Sequence, residues 1–133
     1  MGCTSVIVLD THAWIWWINE SDKLSDKAKI AIQQSDSVGV SAISCWEVAM
    51  LVSKERIGFS IDVREWLELA LKRPKSKLLP ITPEIAVRST RLSDSFHGDP
   101  SDRLIVATSI VHKSHLISKD RKITDSKLVA VVW

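Results

Sequence analysis

The chain has 133 residues, with 18 Lys and Arg against 16 Asp and Glu, a formal net charge of +2. That length fits one domain around one core, so residues 1–133 are expected to form a single domain. Near-balanced charge excludes a protein that coats nucleic acid through overall charge; any nucleic acid must be held by a local patch or through metal ions.

No stretch approaches the ~20 consecutive apolar residues of a membrane-crossing helix, and no basic leader precedes an apolar run. The expected location is the cytoplasm, with no membrane partner. Cys3 and Cys45 have neither CxxC spacing nor companions, so neither a disulfide framework nor a zinc site is indicated.

"SVIVLD" (5–10) is a short β-branched run, the pattern of a strand buried on both faces. "THAWIWWI" (11–18) predicts a short helix. "SDKAKIAIQQ" (25–34) predicts a helix capped by Ser25, and "SVGVS" (37–41) a strand. Ser41 then caps a helix running to about Arg56, with Gly58 expected just past its end. "DVREWLELALKR" (62–73) is amphipathic and stops before Pro74. "LLPI" (78–81) predicts a short strand. Thr82-Pro83 opens a helix to about Ser93, and Pro100 one to about Lys113. "HLIS" (115–118) and "LVAVV" (128–132) predict the last strands. Strands alternating with helices indicate an α/β domain around a parallel sheet.

Ligand sites in such sheets lie beyond the carboxyl ends of the strands. Asp10 follows the first strand directly, and Asp120 follows "HLIS" by two residues. Both therefore fall on one sheet edge. Glu47 has Ile43, Met50 and Leu51 as its helical neighbours, and a carboxylate in an apolar stripe is costly to bury unpaired.

"HGDPSDRLIVATS" (97–109) admits two readings. Asp99 is a natural N-cap before Pro100, and Asp102 then stands in the first turn, where the helix dipole favours a carboxylate. Asp102 also faces Ile105 and Val106, which points it inward. Four inward carboxylates, Asp10, Glu47, Asp102 and Asp120, would repel one another without cations. All-oxygen ligands select Mg²⁺ or Mn²⁺, and such sites suit phosphodiester hydrolysis.

"VIVLDTHAW", "SAISCWEVAML", "HGDPSDRLIVATS" and "HLISKDRKI", in this order, resemble a PIN-domain ribonuclease and, more closely, a VapC-type toxin of a VapBC toxin–antitoxin pair. The resemblance implies a PIN-like three-layer α/β fold, with a central mostly parallel sheet flanked by helices. It implies Mg²⁺-dependent endoribonuclease activity by metal-activated water, with Mn²⁺ able to substitute. Asp10, Glu47, Asp102 and Asp120 match the family's four acidic positions, as catalytic residues and metal ligands.

Thr11 matches a hydroxyl residue beside the first aspartate. Asp99 and His97 match an HxDPxDR variant; Arg103 and Ser118 complete the supporting set. Ser101 stands where relatives often have an aromatic residue, and Arg121 and Lys122 follow Asp120 where many have an acid. Arg103, Lys119 and Arg121, with Lys122, are candidate phosphate contacts; the alternative for each is an ordinary solvated charge or, for Arg103, a structural ion pair. The implied partners are RNA, a small VapB-like antitoxin and a second copy of the chain, giving a homodimer and a heterotetramer or larger complex.

Six of the eight aromatic residues are tryptophans. Trp14 and Trp17 share a helix face and Trp16 points elsewhere. Base stacking and protein packing are both open to them, and an exposed Trp16 or Trp66 would suit an antitoxin groove. The histidines lack the companions of a zinc site, and no GxSxG elbow supports a serine hydrolase. Three alternatives remain. One is a haloacid-dehalogenase-like phosphohydrolase, which wants a second Asp at the position of His12. Another is a receiver-like module phosphorylated on Asp10, and the third is a catalytically weak PIN fold acting through protein binding.

Overall fold

The computed structural model describes residues 5–94, 96 and 98–133. In chain order the elements are β1 Val6–Leu9, α1 Thr11–Ile18, α2 Asp26–Gln34, β2 Ser37–Ser41, α3 Ala42–Ser53, α4 Val63–Leu71, β3 Ser76–Leu79, α5 Pro83–Thr90, α6 Pro100–Val111, β4 Leu116–Ile117, α7 Arg121–Ser126 and β5 Val131–Val132. The five strands form one sheet in the order β3-β2-β1-β4-β5, and every pairing is parallel.

Side-chain alternation along β1 divides the core into two layers. Ile7 and Leu9 point to one face, where with Val38, Val40 and Ile117 they meet Trp14, Ala28, Ile32, Trp66 and Ala70 from α1, α2 and α4. Val8 points to the other face and packs with Leu79, Leu116, Ile105, Val106 and Ile123. Helices on both faces of a parallel sheet make the expected three-layer fold.

Capping signals in the sequence are used as read. Ser25 accepts from the Ala28 amide, Ser41 from Ile43 and Thr82 from Ile85. Other boundaries differ, for identifiable reasons. β3 spans 76–79 rather than 78–81, because Pro80 has no N–H to continue a ladder. The helix from Ser41 ends at Ser53, and Glu55, with φ 58°, takes the left-handed turn expected near Gly58. α7 was not expected: its six residues are too few for a periodic signal. No helix among the described residues is long and apolar enough to cross a membrane.

Candidate active site

β1 and β4 are neighbours, with Leu9 beside Ile117 in register. Their carboxyl ends therefore open at one place on the sheet edge. The Asp10 amide donates to the Ile117 carbonyl at 3.0 Å, which fixes the exit from β1. Asp10 is then the N-cap of α1, its Oδ1 accepting from the Ala13 amide at 2.8 Å. Asp120 caps α7 in the same way, accepting from the Lys122 amide at 2.8 Å.

Asp99 caps α6 by accepting from the Asp102 amide at 2.8 Å. Asp102 itself stands in the first turn of that helix. Three helix N-termini thus turn their positive ends toward one group of acids. Each cap engages one carboxylate oxygen and leaves acceptor capacity on the group.

Glu47 comes from the middle of α3 and closes the site from another side. One cleft of about 520 Å³ is lined by Asp10, Glu47, Asp102 and Asp120, together with Thr11, Asp99 and Lys119. Residues spread over 110 positions of sequence are brought together there. Among the described residues, no three acidic, histidine or cysteine groups are already gathered into a finished ligand set.

Supporting hydrogen bonds hold the acids in place. The buried Thr11 hydroxyl lies 2.5 Å from Glu47 Oε1 and 2.9 Å from the Ser44 hydroxyl. One hydroxyl carries one proton, so Thr11 donates to the carboxylate and accepts a hydrogen bond from the Ser44 hydroxyl. Ser118 is fully buried. Its hydroxyl bonds to the Asp10 carboxylate and accepts from the Asp120 amide at 3.0 Å. It therefore joins the two acids that follow β1 and β4.

The charges are crowded. Burial raises the Asp10 pKa, opposed by the Ser118 hydroxyl, the Ala13 amide and the His12 charge, with Glu47 raising it further. Asp102 is pushed up to about 7, by burial first and then by the charges of Asp99, Asp120, Glu47 and Asp10. The raised pKa values of Asp10 and Asp102 mark a site short of positive charge. Their oxygen-only chemistry fits a hard divalent cation and suits no soft one.

Arg103 does not line the cleft. Its guanidinium donates to the carbonyls of Phe96 (2.8 Å), Gly98 (3.3 Å) and Ser89 (3.4 Å) and lies over the Phe96 ring at 5.8 Å. The expected phosphate contact or ion pair gives way to a clamp that ties α6 to α5 and to the chain before it. Gly98 belongs to this clamp: a Cβ there would stand 2.5 Å from the buried Phe96 ring and 3.1 Å from the Asp102 Cβ. Lys119, Arg121 and Lys122 are exposed, and of these Lys119 reaches the cleft. His97 and Cys3 lie outside the described residues.

The tryptophans also need correction. Trp66 is buried, 6% exposed, in an edge contact with Trp14 and stacked on Phe59. Trp14 is buried, but Trp17, on the same helix face, is half-buried and covered by Arg73, 4.1 Å from its ring centre. The strongly exposed tryptophan is Trp46, at 57%. Sequence reasoning missed Ser44, and also His12 and Trp16 as parts of the cleft wall. Their spacing of four on the helix that Asp10 caps was the available signal.

The class of protein defined here is a parallel α/β domain with acids gathered at the carboxyl edge of its sheet. The PIN domain family matches residues 7–127. The chain is 40% identical over 119 residues to Ribonuclease VapC22 of Mycobacterium tuberculosis (strain ATCC 25618 / H37Rv), covering 90% of each. Among solved structures it resembles VapBC2 of Rickettsia felis bound to a promoter DNA fragment, with a TM-score of 0.71, 14% identity and coverage of 95% and 96% of the two chains. It also resembles DNA-bound VapBC of Salmonella typhimurium, with a TM-score of 0.69, 13% identity and 96% of each chain covered. The chain belongs to the PIN-domain family, and within it to the VapC type.

Proposed function

We propose that this chain is a Mg²⁺-dependent endoribonuclease, the toxin of a toxin–antitoxin pair. The observation that carries the reading is the single cleft shared by Asp10, Glu47, Asp102 and Asp120, with Asp102 held near pKa 7 by burial and then by its acidic neighbours. These four residues would hold Mg²⁺, or Mn²⁺ in its place. A bound ion of this kind polarises a phosphodiester and makes water more acidic.

The chain supplies position and charge. Thr11 holds Glu47 in one rotamer, and Ser44 holds Thr11. Ser118 fixes the spacing between Asp10 and Asp120. Asp99 is chiefly the cap that sets where Asp102 stands. Lys119, which lines the cleft, would meet a phosphate, with Arg121 and Lys122 beyond it at the start of α7. A small antitoxin of the VapB kind is the expected partner, since the Rickettsia and Salmonella neighbours are VapBC assemblies; pairing with a second copy is expected as well.

The test is an RNA-cleavage assay in Mg²⁺ with the wild type and Asp10→Asn side by side. Cleavage by the wild type alone supports the reading. Equal cleavage by both, or by neither, refutes it.

Thr11→Val keeps the shape and removes the hydroxyl. Loss of a group that orients a metal ligand typically costs 10–100-fold in affinity or activity, and about that loss is expected in Mg²⁺ affinity. Calorimetric Mg²⁺ titration checks it; unchanged affinity would show that the Thr11–Glu47 bond has no part in holding the ion.

Stability should depend on pH in a defined direction. Asp102 has an ordinary pKa of 3.8 and a folded one of about 7. The folded state therefore holds this proton more tightly. The favourable contribution is complete below the ordinary value and is lost as pH rises through about 7. The metal-free protein should melt lower at about pH 8 than at about pH 5, with a shallower slope in Asp102→Asn. Mg²⁺ at ~100 times its Kd should add about 2.7 kcal/mol, and do so more readily at the higher pH. A melting series with EDTA and with Mg²⁺ reads both effects. A wild-type slope equal to that of Asp102→Asn would contradict the assignment.

A further inference from the structure

The cleft has an aromatic wall that its acid chemistry does not use. His12 and Trp16 stand one turn apart on α1 and both line the acidic cleft. Their ring centres are 5.9 Å apart and the planes tilted by 49°. Trp16 meets Trp133 at 5.6 Å, also tilted, by 54°. Neither neighbour lies flat on the Trp16 ring. On Trp66 and Trp17 a flat face is taken: Phe59 lies on Trp66 at 4.4 Å and 6°, and Arg73 lies over Trp17. Trp46 is exposed but is not among the residues that line the cleft. Trp16 is half-buried and His12 exposed, so both are fixed by the helix and open to the cleft.

We propose that His12 and Trp16 form a nucleobase subsite, on which a base flanking the phosphate in the cleft stacks. This rests on the ribonuclease reading above and adds to it how the strand is gripped. A cleft lined mainly by acids repels a phosphate backbone except at a bound cation and at Lys119. Base stacking supplies affinity that owes nothing to backbone charge, and it tolerates sequence because every base has a flat face. Asp10 caps the same helix that carries both rings. The metal ligand and the base platform are therefore rigidly related through one turn of backbone. A single-stranded substrate follows, since a paired base cannot present its face to the platform.

The test uses two fluorescein-labelled RNA strands of about 12 nucleotides, a length that spans a typical single-strand site. One carries uracil throughout and the other is abasic, with equal backbone charge. Binding is read by anisotropy with Ca²⁺ filling the cleft, for the wild type, His12→Ala and Trp16→Leu. The wild type should prefer the uracil strand by about ten-fold, within the range for one stacked base. Each variant should lose most of that preference, with binding of the abasic strand unchanged.

Equal binding of both strands by the wild type would overturn the subsite. So would a preference kept by both variants, which would assign this wall to a protein partner. His12→Ala decides the matter if Trp16→Leu does not fold, because His12 is exposed. Cleavage in Mg²⁺ is scored in parallel. A base preference without cleavage by the wild type would sink the ribonuclease reading and keep the subsite; cleavage without base preference would do the reverse.

Discussion

Asp102→Asn is expected to lower RNA cleavage by a factor on the order of 10² or more, the scale for losing one principal charge-stabilising group. The same change should leave the metal-free fold at about pH 8 as stable as the wild type, or more stable. Asp102 is held near pKa 7 by burial and by four other carboxylates, so removing its charge relieves repulsion. The opposing loss is its interaction with the α6 dipole, about 0.5 kcal/mol. Asp99→Asn is the control. Its carboxylate caps the Asp102 amide, and Asn caps about as well as Asp, so stability should change by only a few tenths of a kcal/mol. Melting in EDTA and cleavage in Mg²⁺ measure both variants. A destabilised but active Asp102→Asn beside an inactive Asp99→Asn would exchange the two roles.

Trp14→Ala is expected to have the largest effect on folding. Trp14 is fully buried and meets Trp66 edge-on at 5.4 Å, so it joins α1 to α4 over the sheet. Emptying such a site costs about 3–5 kcal/mol, against a total of roughly 5–15 kcal/mol for a domain. Trp14→Phe should cost much less. The Trp14 Nε1 has no hydrogen-bond partner among the described residues, so the substitution also removes an unsatisfied buried donor worth about 1–3 kcal/mol. Urea unfolding of the two variants provides the check. Equal losses would mean that the cavity and the indole N–H do not set the cost.

Much of this was legible in the sequence because it rests on short-range rules. Asp10 and Asp120 follow strands, and parallel strands end on one edge. Asp99 and Pro100 announce a helix start, and the position of Asp102 follows from that start. Glu47 betrays itself by its apolar neighbours. What stayed hidden depends on contacts between distant segments. Arg103 reads as a surface charge beside a catalytic acid, and only the fold brings three backbone carbonyls to its guanidinium. Trp66 reads as open to either face of α4 until Trp14 and Phe59 enclose it. α7 is anchored by one cap, Asp120, and one buried side chain, Ile123, too little pattern to predict a helix. Glu55 takes the left-handed turn because α3 stops at Ser53, and nothing local places that stop before Gly58.

The central claim is that RNA is cut through divalent ions held by Asp10, Glu47, Asp102 and Asp120. The most direct measurement is the cleavage rate of one RNA by metal-stripped wild-type protein, first in EDTA and then across a Mg²⁺ titration. The account predicts no cleavage in EDTA and a rate that rises with Mg²⁺ to saturation, with Mn²⁺ able to replace it. A full rate in EDTA, unchanged by added Mg²⁺, would contradict it.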